Sequence, residues 1–106
     1  MVYVDDMRAP YGRMVMCHML ADSDEELHAM ADRIGVQRKW HQKAGTYRSH
    51  YDIALTKRAL AVKFGAVEID RYGLAEILRS RRMALLAALE AKGIRAPVKE
   101  EGTQDD

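Results

Sequence analysis

MVMCHMLADSDEELHAMADRIG, residues 14–35, holds a strand and a helix back to back, and their junction decides the fold class. Met14 to Leu20 is an apolar run with one polar member, His18, and its length suits a strand buried on both faces. Asp22-Ser23 then offers an N-cap, and Ser23 with Glu26 matches a capping box, in which the cap side chain satisfies a free backbone N–H of the first turn. Leu27, Met30, Ala31 and Ile34 follow at the i, i+3, i+4, i+7 spacing of one buried helix face, and Gly35 stands where a left-handed residue ends a helix. A strand running straight into a capped helix is the building unit of an α/β domain.

Working outward, Val2-Tyr3-Val4 is a short β-rich run ending in Asp5-Asp6, and Ala9-Pro10-Tyr11-Gly12 reads as a loop. Downstream, Val36 to Trp40 is expected to be a third strand, and an irregular segment from Gly45 delivers the triplet His50-Tyr51-Asp52. A second helix is expected to start near Asp52 or Thr56 and to stop at Gly65. Ala66 to Ile69 is the last strand candidate. Asp70 caps a third helix bearing Leu74, Ile77, Leu78, Leu85 and Leu89, closed by Gly93 and Pro97. The order β-β-α-β-α-β-α predicts one small α/β domain over residues 1–96, its helices packed on a mostly parallel or mixed sheet. Residues 97–106 read as a disordered acidic tail.

Composition bounds the function. Seventeen basic residues against 16 acidic ones give a formal charge of +1, which argues against a protein whose main role is coating nucleic acid and leaves room for a local basic patch. The single Cys17 forms no internal disulfide; beside Met16 and Met19 it reads as a buried, inert thiol, with a nucleophile as the sharper alternative. No leader pattern and no apolar run of membrane length is evident, so a cytoplasmic setting without a membrane partner is expected.

Several of these stretches together carry a likeness. Tyr3-Val4-Asp5-Asp6, the helix entry Ala21-Asp22-Ser23 to Leu27, Trp40, His50-Tyr51-Asp52, and Lys57-Arg58 with Ala61 and Gly65-Ala66 resemble the DUF4031 family. These are short bacterial and phage proteins with a His-Tyr-Asp motif and no assigned function. The similarity covers roughly residues 2–69. It implies phage or prophage origin and lends no site residues.

Chemistry concentrates on the triplet. In an extended segment His50 and Asp52 share a face while Tyr51 points opposite, so the carboxylate could orient the imidazole or both could ligate one metal. The competing reading has Asp52 capping the second helix, His50 bonding a loop carbonyl and Tyr51 in the core. Asp5 and Asp6, at a strand end, are candidate ligands for a hard cation or else a solvated turn. His18 is either a buried neutral histidine or, together with Asp22, a member of the same site; His28 and His41 read as surface residues. Lys57 and Arg58 could hold a phosphate, and Trp40 and Tyr51 could stack on a base, within a stretch where Arg38, Lys39, Lys43 and Arg48 add positive potential. The leucines of the third helix mean core packing or a homodimer seam over residues 71–92.

The expectation is therefore a metal-assisted hydrolase or nuclease acting on a nucleotide or nucleic-acid phosphate. His50, Asp52 and His18 would be its acid/base groups or ligands, Asp5, Asp6 and Asp22 further metal ligands, and Mg²⁺, Mn²⁺ or Zn²⁺ the cation. The alternative is a non-catalytic, phage-encoded module that binds a nucleotide or a host protein.

Overall fold

Eight residues of the opening stretch, Met14–Ala21, form the central strand of a computed structural model that describes residues 1–93. The expected tail at 97–106 lies outside the described residues. In chain order the elements are β1 (Val2–Val4), β2 (Ala9–Tyr11), β3 (Met14–Ala21), α1 (Asp24–Ile34), β4 (His41–Gln42), β5 (His50–Ala54), α2 (Leu55–Lys63), β6 (Val67–Glu68) and α3 (Arg71–Ala91). They build a mixed sheet in the order β4-β5-β3-β1-β6, with β2 also paired to β3. Among the described residues only β1 and β6 run parallel.

Both caps of α1 and the N-cap of α3 form where the residues announce them. Ser23 Oγ accepts from the Glu26 N–H at 3.2 Å, Gly35 ends α1 with φ 80°, and Asp70 Oδ1 accepts from the Gly73 N–H at 2.9 Å.

Four local expectations change. Ala9–Tyr11 is a strand, not a loop: it pairs with Met14–Met16 as an edge hairpin, where the missing Pro10 N–H interrupts no inner ladder. Val36–Trp40 is not a strand; its end is a single 3₁₀ turn, Arg38–Trp40, because Gln37, Arg38, Lys39 and Trp40 are all exposed and leave no face to bury. The segment expected to be irregular supplies the strand instead: His50–Ala54 is the longest strand after β3, with Tyr51 and Ile53 buried between half-buried neighbours. Finally, β3 is buried on both faces only toward its end; Met14 is 46% exposed.

The sheet has two unlike faces. On one, Val2, Val4, Met19, Ala21, Tyr51 and Ile53 meet Leu27, Met30, Ala31 and Ile34 of α1 and Ala61 of α2 in a closed core. Cys17 is also fully buried. On the other face stand Tyr3, Asp5, His18, Leu20, His50 and Asp52, the alternate positions of β1, β3 and β5. Leu74 and Leu78 of α3 line one small cavity there with Leu20, His18 and His50. The Arg81 guanidinium anchors α3 to the sheet by donating to the carbonyls of Tyr47 and Ser49, each at 3.2 Å, and to that of Ala21. The leucine stripe of α3 is only half covered: Leu74, Ile77 and Leu78 are half-buried, while Leu85 is 45% exposed. No helix among the described residues is long and apolar enough to cross a membrane.

Candidate metal centre

The strand pairing places His18 directly opposite Asp52, with His50 two residues before Asp52 on the same face. His50 Nε2 lies 3.4 Å and His18 Nε2 3.8 Å from the same oxygen, Asp52 Oδ1. The two rings meet edge to face with centroids 5.0 Å apart. One ligand atom from each of the three residues falls within 4.8 Å of the others.

The protons of this cluster follow from its outer contacts. His50 Nδ1 is 2.6 Å from the Arg48 carbonyl oxygen, which can only accept, so Nδ1 carries the hydrogen and the neutral ring's Nε2 is an acceptor. His18 Nδ1 is 2.6 Å from Asp5 Oδ2. Burial pushes the Asp5 carboxyl up, but hydrogen bonds from the His18 ring, the His18 N–H and the Met7 N–H outweigh it and hold the group below the usual carboxylate range. Asp5 is thus ionised, His18 Nδ1 donates to it, and in its neutral form the His18 ring also offers its Nε2 as an acceptor. Asp52 Oδ1, itself buried, has no hydrogen-bond partner among the described residues. Three acceptors face one another with no donor between them. Such an arrangement is costly unless a cation, either a proton or a metal ion, sits among them. The proton's natural seat is His18, which the hydrogen bond to Asp5 raises above the usual imidazole range against the opposing effect of burial.

The donor set matches a first-row divalent cation. Metal–nitrogen and metal–oxygen bonds of about 2.0–2.2 Å place neighbouring ligand atoms about 3–3.5 Å apart, so little movement is needed. The carboxylate and the carbonyl behind the two histidines fix their tautomers as outer partners do in metal sites.

Asp5 is the orienting group rather than a ligand: its two oxygens take the His18 ring, the His18 N–H at 2.8 Å and the Met7 N–H at 3.2 Å. This carboxylate replaces a strand carbonyl where β1 breaks off before β2, and the chain recovers through Arg8 at φ 54°. Asp6 is exposed and does not join the cluster. Asp22 lies at the far end of β3, where it accepts from Tyr3 Oη at 2.9 Å. Asp52 does not cap α2, whose N-cap is Ala54 with no side-chain bond.

The expected phosphate and stacking groups separate in the same way. Arg58 is engaged inside the fold, Nε donating to the Asp5 carbonyl at 2.7 Å and Nη1 to Glu68 at 3.0 Å. Lys57 instead reaches across the space that a Cβ at Gly35 would occupy, its Nζ 3.2 Å from that point, and lines a cavity together with Asp52. Tyr51 is fully buried, stacked on His41 and hydrogen-bonded to His28, which leaves no ring face for a ligand. Trp40 is 52% exposed. Lys43 and Arg48 flank His18 and His50 in a cavity of about 260 Å³. A further cavity, of about 420 Å³ around Arg81 and Asp22–Asp24, does not reach the cluster.

These features define the class: a small mixed-sheet α/β domain with an open cluster of two histidines and one carboxylate on its less covered face. The chain belongs to the protein family of unknown function DUF4031, whose model matches residues 2–81. That span includes the three cluster residues, Asp5 and the α3 anchor Arg81, and so extends beyond the likeness read from residues 2–69. No curated protein and no solved structure matches the chain.

Proposed function

We propose that the chain is a metal-dependent hydrolase acting on a nucleotide or nucleic-acid phosphate, with His18 Nε2, His50 Nε2 and Asp52 Oδ1 holding one divalent cation. The observation that carries this reading is the buried Asp52 Oδ1, without a hydrogen-bond partner among the described residues, facing two ring nitrogens whose other nitrogens are already bonded. Two imidazoles beside a single carboxylate favour Zn²⁺ or Mn²⁺ over Mg²⁺, which prefers an all-oxygen shell. Three protein ligands leave coordination positions for water and a substrate oxygen, as in reactive rather than purely structural sites. A cation so placed would lower the pKa of water and polarise a phosphoryl oxygen. Lys43 and Arg48 on one side and Lys57 on the other supply the charge to hold the phosphate. A cytoplasmic setting and phage or prophage origin belong to the same proposal.

Calorimetric titration of the full chain with Zn²⁺ and with Mn²⁺, followed by a phosphodiester and nucleotide turnover panel, tests it. One-to-one binding that Asp52→Ala removes, with metal-dependent turnover, is expected. Absence of metal binding overturns the metal centre; binding without turnover transfers the site to a non-catalytic nucleotide-binding module.

A second reading, an interaction module or homodimer working through α3, draws on the exposure there of Tyr72 at 69%, Met83 at 56% and Leu85 at 45%. Light scattering on the wild type and on Leu85→Glu distinguishes it: a dimer that the substitution splits supports this reading.

A further inference from the structure

Beside Asp52, on the side of the β2–β3 hairpin, lies a cavity of about 430 Å³ walled by Tyr11, Met14, Met16 and Trp40. Its volume falls within the ~300–1,000 Å³ of small-molecule sites, enough for a nucleoside-sized group. Two large rings from separate segments border this one space while remaining open to water, Trp40 at 52% and Tyr11 at 65% exposure. The thioethers of Met14 and Met16 add polarizable, adaptable surface beside them. Three polar groups converge on the cavity: the Gln42 amide, which both donates and accepts, the Lys57 ammonium, which has no ion-pair partner among the described residues, and Asp52 of the metal cluster.

The cluster therefore stands between two unlike spaces, an aromatic one reached through Asp52 and a cationic one with Lys43 and Arg48 reached through His18 and His50. A purely apolar occupant would leave Lys57 and Gln42 without partners, and a bare sugar phosphate would leave the rings uncovered. A planar heteroaromatic ring joined to a phosphate satisfies both sides at once. We propose that the cavity walled by Trp40, Tyr11, Met14 and Met16 binds the base of a nucleoside phosphate and so presents its phosphate to His18, His50 and Asp52. The phosphate's role rests on the hydrolase reading above; the base site stands independently of it. Trp40 is the stacking platform, Gln42 reads the base edge, and Lys57 meets the sugar–phosphate side.

Trp40 is the only tryptophan of the chain, so tryptophan emission, excited beyond the absorption of the five tyrosines, reports on the ring that walls this cavity. The metal-free full chain is titrated with AMP, GMP, CMP and UMP, with the matching nucleosides, and with ribose 5-phosphate. Saturable quenching by at least one nucleotide and its nucleoside, and none by ribose 5-phosphate, is expected. By calorimetry, Trp40→Phe retains the tightest nucleotide and Trp40→Ala weakens it about 5- to 150-fold, the range of one base–ring stack. Lys57→Ala weakens the nucleotide but not its nucleoside, a control in which the fluorophore and the walls stay in place. No quenching by any nucleotide or nucleoside, or equal quenching by ribose 5-phosphate, overturns the base site. Metal and nucleoside titrations of the unaltered chain separate the two readings: a protein that binds metal but no base loses only this inference, and one that binds nucleosides but no metal loses only the metal centre.

Discussion

Two histidine pairs lie on opposite faces of the same sheet, in nearly the same mutual pose. His18 and His50 meet edge to face with centroids 5.0 Å apart; His28 and His41 do so at 4.7 Å, and both pairs have an interplanar angle of 83°. Their surroundings differ. On the helix-covered face, His28 Nδ1 contacts Tyr51 Oη at 2.7 Å, and His41 Nε2 contacts Ser49 Oγ at 2.6 Å, which donates onward to Asp24 Oδ1 at 2.7 Å. Hydroxyls accept and donate, so each contact closes without an ion. On the open face, a carboxylate and a carbonyl orient the rings from behind, and a third acceptor stands in front. Titration runs in opposite directions: burial, then the neighbouring His28, lowers His41, whereas the Asp5 hydrogen bond raises His18. Two imidazoles in contact do not make a site; the groups on their outer nitrogens decide whether they close among themselves, as in the core pair, or leave acceptors facing a third, as in the open pair.

Loss of metal affinity is the strongest test of the contrast. Asp52→Ala or His50→Ala should weaken Zn²⁺ by more than about 100-fold in calorimetric titration, beyond the range of outer-partner changes. His41→Ala should leave that affinity within a small factor; equal losses from both pairs would erase the distinction.

Asp5→Asn, which keeps shape while withdrawing the charge behind His18, should cost about 10- to 100-fold in metal affinity. Competition against a chromophoric chelator measures it, and an unchanged affinity would reduce Asp5 to a turn-forming residue.

Tyr51→Phe should act on the other face only. It removes one hydrogen-bond partner of His28, and about 1–2 kcal/mol of stability should disappear in urea unfolding with metal affinity intact.

The smallest effect is in pH. Asp5 is held below its ordinary 3.8, so its contribution to stability is present above 3.8 and is lost as pH falls through its lowered value. His18 is held above its ordinary 6.5, so its contribution is present below 6.5 and is lost as pH rises through its raised value. The metal-free pair therefore contributes most between 3.8 and 6.5. His41, held below 6.5, opposes His18 by costing stability as pH falls beneath 6.5. Thermal melts across this range should lose the high-pH decline in His18→Ala and gain low-pH stability in His41→Ala; identical profiles would refute the opposition.

How far the residues foretold this varies with the range of the interaction. Ser23 with Glu26, the Leu27-to-Ile34 stripe and Gly35 act within one or two turns, and β3–α1 formed as read. Strand alternation likewise put His50 and Asp52 on one face with Tyr51 opposite, as observed. Val36–Trp40 misled because its Val and Trp suit a strand, while its cationic neighbours left it no face to bury. His28 and His41 looked like surface residues because nothing near them in sequence signals that His41 pairs with Tyr51 across β4 and β5. The aromatic cavity was equally hidden, since Tyr11 and Trp40 belong to segments separated by β3 and α1.

Local chain chemistry was enough to specify the α/β class, the three helices with most of their caps, and the shared face of His50 and Asp52. It had no means of specifying that His18 would stand opposite Asp52, that Asp5 would turn inward to orient His18, or that Arg58 would be taken up by the fold while Lys57 lined a cavity. Those outcomes depend on strand register, and a one-residue slip of β3 against β5 would send His18 to the helix-covered face. Register is set by burying Met19, Tyr51 and Ile53 together against α1 and α2, a choice made by the whole core and by no single stretch of the chain.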